Sequence, residues 1–349
     1  MTAESESAQK PATEGPLVTD RTQYLNLDQI EVACARMTAR LLVRTDSLAG
    51  ALKRELTAVS ANALRSGALG QGLFGAQSTR PGLMLIAGPG GVGKSYFAEL
   101  LARVIYGERF VDHLITVNCR AYFSGRFPPL PPNKLVSGPL AIVSLDAAEA
   151  LPQVPPVAAL WADAIRHGRA PLPVLGEGAQ PGQAELSFAR SIVVVTANVG
   201  RDEAVHLGFR PHNARTIDPT AAEKLIRDGI GDLFEGDLGE LFAPERWNIL
   251  PPLDRAGMRR LVDLELAALA ERVPRGSTPV KVTEPAAERL IQRALDSSSP
   301  NKTAALVELI EMIVEPAVND ALLRASAPVP LRVSVYLEKG EPAVTVEQA

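Results

Sequence analysis

Between Ala87 and Tyr96 the chain reads Gly88-Pro89-Gly90-Gly91-Val92-Gly93-Lys94-Ser95. Each residue type has a use at that spacing. The glycines let successive backbone N–H groups turn inward around an anion, Lys94 is placed to reach phosphate oxygens, and the Ser95 hydroxyl can hold a divalent cation. A short apolar run, Leu83 to Ala87, enters the loop, and apolar positions at helical spacing (Phe97, Leu100, Leu101, Val104) leave it. Strand, loop and helix in that order also aim the positive end of a helix at the loop. The chemistry this implies is binding of a nucleoside triphosphate, ATP, with Mg²⁺. Such a site also needs an acid at the end of a neighbouring strand to hold the metal. Ala141-Ile142-Val143-Ser144-Leu145-Asp146 supplies one, so Ser95 and Asp146 are the expected metal-holding pair.

The elements that must position these residues are legible as apolar runs. Leu83–Ala87, Leu114–Val117, Leu140–Leu145 and Ile192–Ala197 read as strands separated by helices, the pattern of a parallel sheet covered on both faces. In such sheets ligands bind at the carboxyl ends of the strands. Residues 1–22, rich in Ser, Thr, Glu and Pro, read as a disordered tail. Residues 23–79 read as a helical extension with helices at 27–44 and 46–66, Asp28 as N-cap of the first, and a Gly-rich connector from Gly67 to Gly75. These helices are expected either to brace the sheet domain or to face a partner. Residues 80–252 form the expected nucleotide-binding sheet domain. Residues 253–349 form the expected lid, with helices at Asp254–Val273, Glu284–Leu295 and Thr303–Ala325 and a closing hairpin, Leu331–Tyr336 with Ala343–Val346.

Composition narrows the function classes. The 349 residues carry 36 Lys and Arg against 40 Asp and Glu, a net charge of -4, so no basic surplus exists for a nucleic-acid backbone. Two cysteines and four histidines show no metal-ligand spacing. No run approaches the roughly 20 apolar residues of a membrane span, and the polar, acidic N-terminus is unlike a signal peptide. A soluble, cytoplasmic protein is expected, with no nucleic-acid or membrane partner.

From about residue 80 onward the chain resembles the AAA+ ATPases, and among them the second ATPase module of the Clp-type unfoldases. Four stretches carry the resemblance: the phosphate loop; AIVSLD followed by a proline-started helix ending His167-Gly168-Arg169; Ile192-Val193-Val194-Val195-Thr196-Ala197-Asn198-Val199-Gly200 with Leu207-Gly208-Phe209; and Leu241-Phe242-Ala243-Pro244-Glu245-Arg246-Trp247-Asn248. The resemblance implies a five-stranded parallel α/β sheet with a mostly helical C-terminal lid. It also implies a ring, six-membered in the family, built from this chain or a related AAA+ subunit and acting on a protein client. Asn198 would then be the polar sensor that orients the attacking water.

The departures from the family pattern fall on catalysis. The family places a Glu, the general base, directly after the metal-holding Asp, and here that residue is Ala147. A methyl group cannot take a proton. Glu149 stands two residues on, and a local bulge would bring it into the base position. The family's arginine finger follows an Asn, but Asn248 is followed by Ile249, which leaves Arg246 as the nearest arginine. The lid arginine falls near Asn301-Lys302-Thr303, where Lys302 is the nearest cation. The segment from Asn118 to Leu140 holds Tyr122, Phe123, Phe127 and the run Pro128 to Pro132, but no Tyr-Val-Gly pore loop. The reading that follows is an ATP-binding assembly or remodelling subunit with weakened hydrolysis. The alternatives are a fully active Clp-like unfoldase using Glu149, and a small-molecule kinase on the same loop, which would need an arginine-bearing lid inserted in the sheet domain.

Overall fold

Strands buried on both faces read as near-continuous apolar runs, and the central strands of this protein are built that way, with Ser144, Ser191 and Thr196 as buried polar exceptions. The computed structural model describes residues 16–17, 24–41, 46–68, 80–124, 140–171, 185–188, 190–199, 219–234, 237–241, 246–251, 253–272, 280–297, 302–324 and 330–348. Strand β1 (Gly82–Gly88) is buried at every position, and β3 (Ala141–Asp146) and β6 (Ser191–Asn198) are buried at every position but the last. By contrast β2 (Leu114–Asn118), at the edge of the sheet, alternates buried with more exposed positions. With β7 (Trp247–Ile249) these make an all-parallel sheet in the order β2-β3-β6-β1-β7. The expected five-stranded parallel sheet is therefore present: four of its strands fall on the marked apolar runs to within a residue at each end, while Trp247–Ile249 was not marked by a run.

The chain folds as two compact units: residues 1–39, 49–84 and 95–195, and residues 40–48, 85–94 and 196–349. In the first, helix α1 (Leu27–Arg40) buries Ile30, Ala33 and Met37. Its N-cap is Asn26, not Asp28. The Asn26 Oδ1 accepts from the Gln29 N–H at 2.8 Å while Gln29 Oε1 accepts from the Asn26 N–H at 2.9 Å, a reciprocal capping box two residues earlier than expected. Within the stretch expected to be disordered, the Leu17 N–H donates to the Ile105 carbonyl at 2.9 Å and the Leu17 carbonyl accepts from Gln29 Nε2 at 2.5 Å. Helix α2 (Asp46–Ala68) braces the entry of β1. Its Glu55 Oε2 accepts from the Leu83 N–H at 3.0 Å, and a Cβ on Gly82 would lie 2.8 Å from Val59, so only glycine lets helix and strand meet there. The Gly-rich connector after Ala68, like the helix residues expected at 42–44, lies outside the described residues.

Helix α3 (Lys94–Tyr106) follows the phosphate loop and ends in a 3₁₀ turn, Gly107–Asp112. Helix α4 (Pro155–His167) begins with prolines at its first positions, where the missing N–H groups cost nothing, and stops at Gly168 with φ 68°. A two-stranded antiparallel ribbon that periodicity did not reveal, β4 (Arg169–Pro171) with β5 (Glu185–Ser187), follows it.

In the second unit, α5 (Pro219–Leu233) and α6 (Asp237–Leu241) lead to β7. After Pro251 come α7 (Arg255–Arg272), β8 (Lys281–Val282), α8 (Glu284–Asp296), α9 (Lys302–Arg324) and the hairpin β9 (Leu331–Glu338) with β10 (Glu341–Gln348). Their apolar faces share one core of Met258, Leu261, Val262, Leu290, Ile291, Leu306, Ile310, Val333 and Val335. The three helices and the hairpin match the sequence reading. The short β8, pairing parallel with β9 through Lys281–Ser334 and Val282–Val335, was not expected, because two residues carry no period. No helix among the described residues is long and apolar enough to cross a membrane.

Candidate nucleotide site

The loop that leaves β1 is shaped by its glycines. Gly91 and Gly93 hold φ values of 84° and 89°, left-handed conformations that a side chain would strain. A Cβ on Gly88 would stand 2.3 Å from the Leu250 carbonyl oxygen, so no other residue fits there. Two neighbouring strand exits are stitched to this point: the Val199 N–H donates to the Gly88 carbonyl at 3.1 Å and the Leu250 N–H to the Ala87 carbonyl at 2.8 Å. Lys94 opens α3 and is only 5% exposed. Its Nζ donates to the carbonyls of Gly88 at 2.9 Å and Pro89 at 2.6 Å, which holds the charge at the mouth of the loop. Val92 is buried under the loop, Gly90 has open space around it, and Ser95 is exposed on the first helical turn, which carries no acidic residue. Backbone donors, a cation and a hydroxyl are thus gathered without a carboxylate among them, a donor set that fits phosphate. Asn198 ends β6 one residue before the Val199 bond to Gly88, so it is fixed close to the loop's origin.

At the carboxyl end of β3, Ser144 and Asp146 face the same side of the strand, and the buried Ser144 hydroxyl donates to Asp146 Oδ1 at 2.8 Å. Directly after it Ala147 adopts φ 58° and ψ 45°, the left-handed region, and a 3₁₀ turn runs from Ala148 to Gln153. The chain thus kinks two residues before Glu149. The Glu149 side chain is 16% exposed, and its Oε1 accepts from the Arg120 guanidinium at 2.9 Å. Arg120 is itself anchored through its backbone N–H, which donates to Asn118 Oδ1 at 3.0 Å. Next to it the fully buried Cys119 has its thiol pushed up to about 12, first by burial and then by the negative charges of Asp146 and Glu149. Ser144, Cys119 and Arg120 are the site neighbours that sequence reasoning missed. Only Ser144 carried a signal, its two-residue spacing from Asp146.

Of the two substitute cations, Arg246 stands directly before β7 and Lys302 opens α9. Trp247 pairs with Leu85 in the β1–β7 register, so Arg246 is level with the amino half of β1. At about 3.3 Å per residue that is roughly 13 Å down the strand from Gly88, beyond the reach of an arginine to a phosphate held in its own loop. Asn248 is 3% exposed and spends its Nδ2 on the Leu85 carbonyl at 3.0 Å and the Arg246 carbonyl at 3.3 Å, a fastening of the edge strand. Lys302 donates to the Ser297 carbonyl at 2.5 Å and so closes the end of α8 onto the start of α9. The side chains of Tyr122 and Phe123, the segment with Phe127 and Pro128 to Pro132, Leu207 to Phe209 and Asn301 lie outside the described residues.

No family model matches the chain. Among curated proteins it is 24% identical over 291 residues to the chaperone protein ClpB of Helicobacter hepaticus, an alignment covering 78% of this chain and 31% of that protein. It is also 24% identical over 248 residues to the ATP-dependent Clp protease ATP-binding subunit ClpE of Lactococcus lactis, covering 66% and 30%. With the negative regulator of genetic competence ClpC/MecB of Bacillus subtilis it shares 23% over 276 residues, covering 74% and 32%. The matched span is therefore about a third of the length of each relative. The similarity is that of a distant homologue of the Clp-type AAA+ ATPases, and the five-strand order agrees with the phosphate-loop fold of that class.

Proposed function

We propose that this chain binds ATP with Mg²⁺ at Gly88–Ser95 and acts as one subunit of a Clp-like remodelling or assembly ATPase whose own hydrolysis is slow. The observation that carries the reading is the pairing of a complete phosphate loop with Ala147 behind Asp146. Backbone N–H groups of the loop and Lys94 would bind the phosphates, and Ser95 and Asp146 would hold the metal. Magnesium, when bound, neutralises phosphate charge. Asn198 would orient the attacking water. What is lacking is a residue at position 147 that takes the water's proton, a loss worth about 10²- to 10⁴-fold in rate. Arg246, at the opposite end of its strand from the loop, would serve a nucleotide held by a neighbouring subunit of a ring. A ring of six, of this chain or mixed with a related subunit, and a protein client are part of the proposal.

The test is a calorimetric ATP titration run beside a steady-state ATPase assay. Binding with turnover that rises in Ala147→Glu supports the reading. Fast wild-type turnover that Glu149→Gln abolishes would replace it with an active unfoldase using Glu149 as base.

A further inference from the structure

We infer that Ser144 is a positioning residue for the metal: its buried hydroxyl sets the rotation of the Asp146 carboxylate, and with it the share of nucleotide affinity that Mg²⁺ supplies. The inference rests on the proposed function and deepens it.

Strand β3 has every reason to be apolar up to its last residue. It lies between β2 and β6, with Ser144 opposite Thr116 on one side and Val194 on the other. Every other residue from Ala141 to Leu145 is apolar and buried, and Ser144 is itself 1% exposed. A buried hydroxyl adds nothing to such a core and needs a partner to offset its lost hydration. Ser191, equally buried in β6, has none among the described residues, whereas Ser144 donates to Asp146 Oδ1 at 2.8 Å. The two-residue spacing permits this, since alternate residues leave a strand on one face. Asp146, half-buried at the strand end, is a side chain that such a bond can steer. The terminal torsion of an aspartate is broad and roughly two-fold, so an unsupported carboxylate presents its oxygens at many angles. A charge-assisted bond to one oxygen selects one orientation, and here the donor is a hydroxyl enclosed by the sheet. The Ser144 oxygen is too covered to be a ligand itself. What it supports, a carboxylate acting with the Ser95 hydroxyl, is a set of hard oxygen donors of the kind that suits Mg²⁺. A metal held by so few protein oxygens loses much of its grip when one of them is left to turn.

The experiment titrates the full chain with AMP-PNP, which is not turned over, by calorimetry in saturating MgCl₂ and again in EDTA. The ratio of the two affinities measures what the metal contributes. Ser144→Ala should lower that ratio about tenfold, the loss that follows when a group orienting a metal ligand is removed, with the affinity in EDTA unchanged. Ser144→Thr, which keeps the hydroxyl, should hold the ratio near the wild-type value, whereas Ser144→Val, of the same shape without it, should fall with Ser144→Ala. The Thr and Val pair decides the matter if Ser144→Ala fails to fold. A wild-type ratio in both Ser144→Ala and Ser144→Val overturns the inference alone, and so does a loss of equal size with and without metal, which a general loosening of the sheet would give. Wild-type protein that binds AMP-PNP in neither condition, or no more tightly with magnesium than in EDTA, overturns it together with the proposed function.

Discussion

Replacing Ala147 by glycine should stabilise the protein, because the residue after Asp146 sits at φ 58° and ψ 45°. In that conformation a Cβ crowds the following carbonyl at a cost of about 1–2 kcal/mol, which glycine does not incur. Against this, glycine adds freedom to the unfolded chain worth about 0.5–1 kcal/mol, and the half-buried methyl gives up a few tenths more. The net expectation is a gain of about 0.5 kcal/mol. Ala147→Val, whose branched side chain tolerates the left-handed region least, should lose about 1 kcal/mol or more by the same reasoning. Urea unfolding, comparing midpoints at constant slope, measures both. If Ala147→Gly were less stable than wild type while Ala147→Val were unchanged, position 147 would not be left-handed in solution, and the kink that brings Glu149 inward would have no basis.

Three further outcomes follow. Lys94→Ala should weaken ATP binding at least about 100-fold, the worth of charge-assisted bonds to phosphate, and unchanged affinity by calorimetry would remove the site assignment. The Cys119 thiol, raised to about 12, stays neutral in the native state above the pH where an unfolded thiol ionises. Its contribution to stability is therefore intact below about 9 and is lost as pH climbs from 9 toward 12; alkylation of Cys119 at pH 8 should proceed only at the rate of unfolding, and rapid native-state labelling would contradict that. Ser191 is 1% exposed and its hydroxyl has no hydrogen-bond partner among the described residues, so Ser191→Ala should be neutral or stabilising by up to about 1 kcal/mol in the same urea assay.

How much of this was legible in the sequence depended on how local each cause is. The central strands announced themselves because burial on both faces leaves few polar positions to interrupt them, as in Ile192 to Ala197, where Thr196 is the one polar residue. The phosphate loop was readable because its glycines answer to backbone geometry within one turn. Asp28 was chosen as a cap on residue type, whereas the capping box of Asn26 and Gln29 requires two side chains to answer each other. The ribbon of Arg169–Pro171 with Glu185–Ser187 and the two-residue strand at Lys281 are too short to show a period. At the site, Asp146 and Glu149 were visible as types, but the left-handed backbone at Ala147 is a tertiary outcome that no alanine advertises. The partnership of Arg120 with Glu149 joins residues 29 apart, and only the strand register brings them together.

The small strand Lys281–Val282 also says something about how the C-terminal segment acquires its structure. It pairs with β9 at Ser334 and Val335, so helices α8 and α9 are both enclosed between the two partners, and the Thr283 N–H, at the head of α8, donates to the Val335 carbonyl at 2.9 Å. Closing so long a stretch of chain carries its entropic cost before any bond repays it, while the hairpin of β9 and β10 closes locally around Lys339 and Gly340. During refolding the hairpin and helices can form early, and the Lys281–Ser334 register should arrive last, as the clasp that makes their assembly cooperative. Amide exchange at Thr283 should then track unfolding of the whole segment, whereas the outer amides of β10 exchange by fraying.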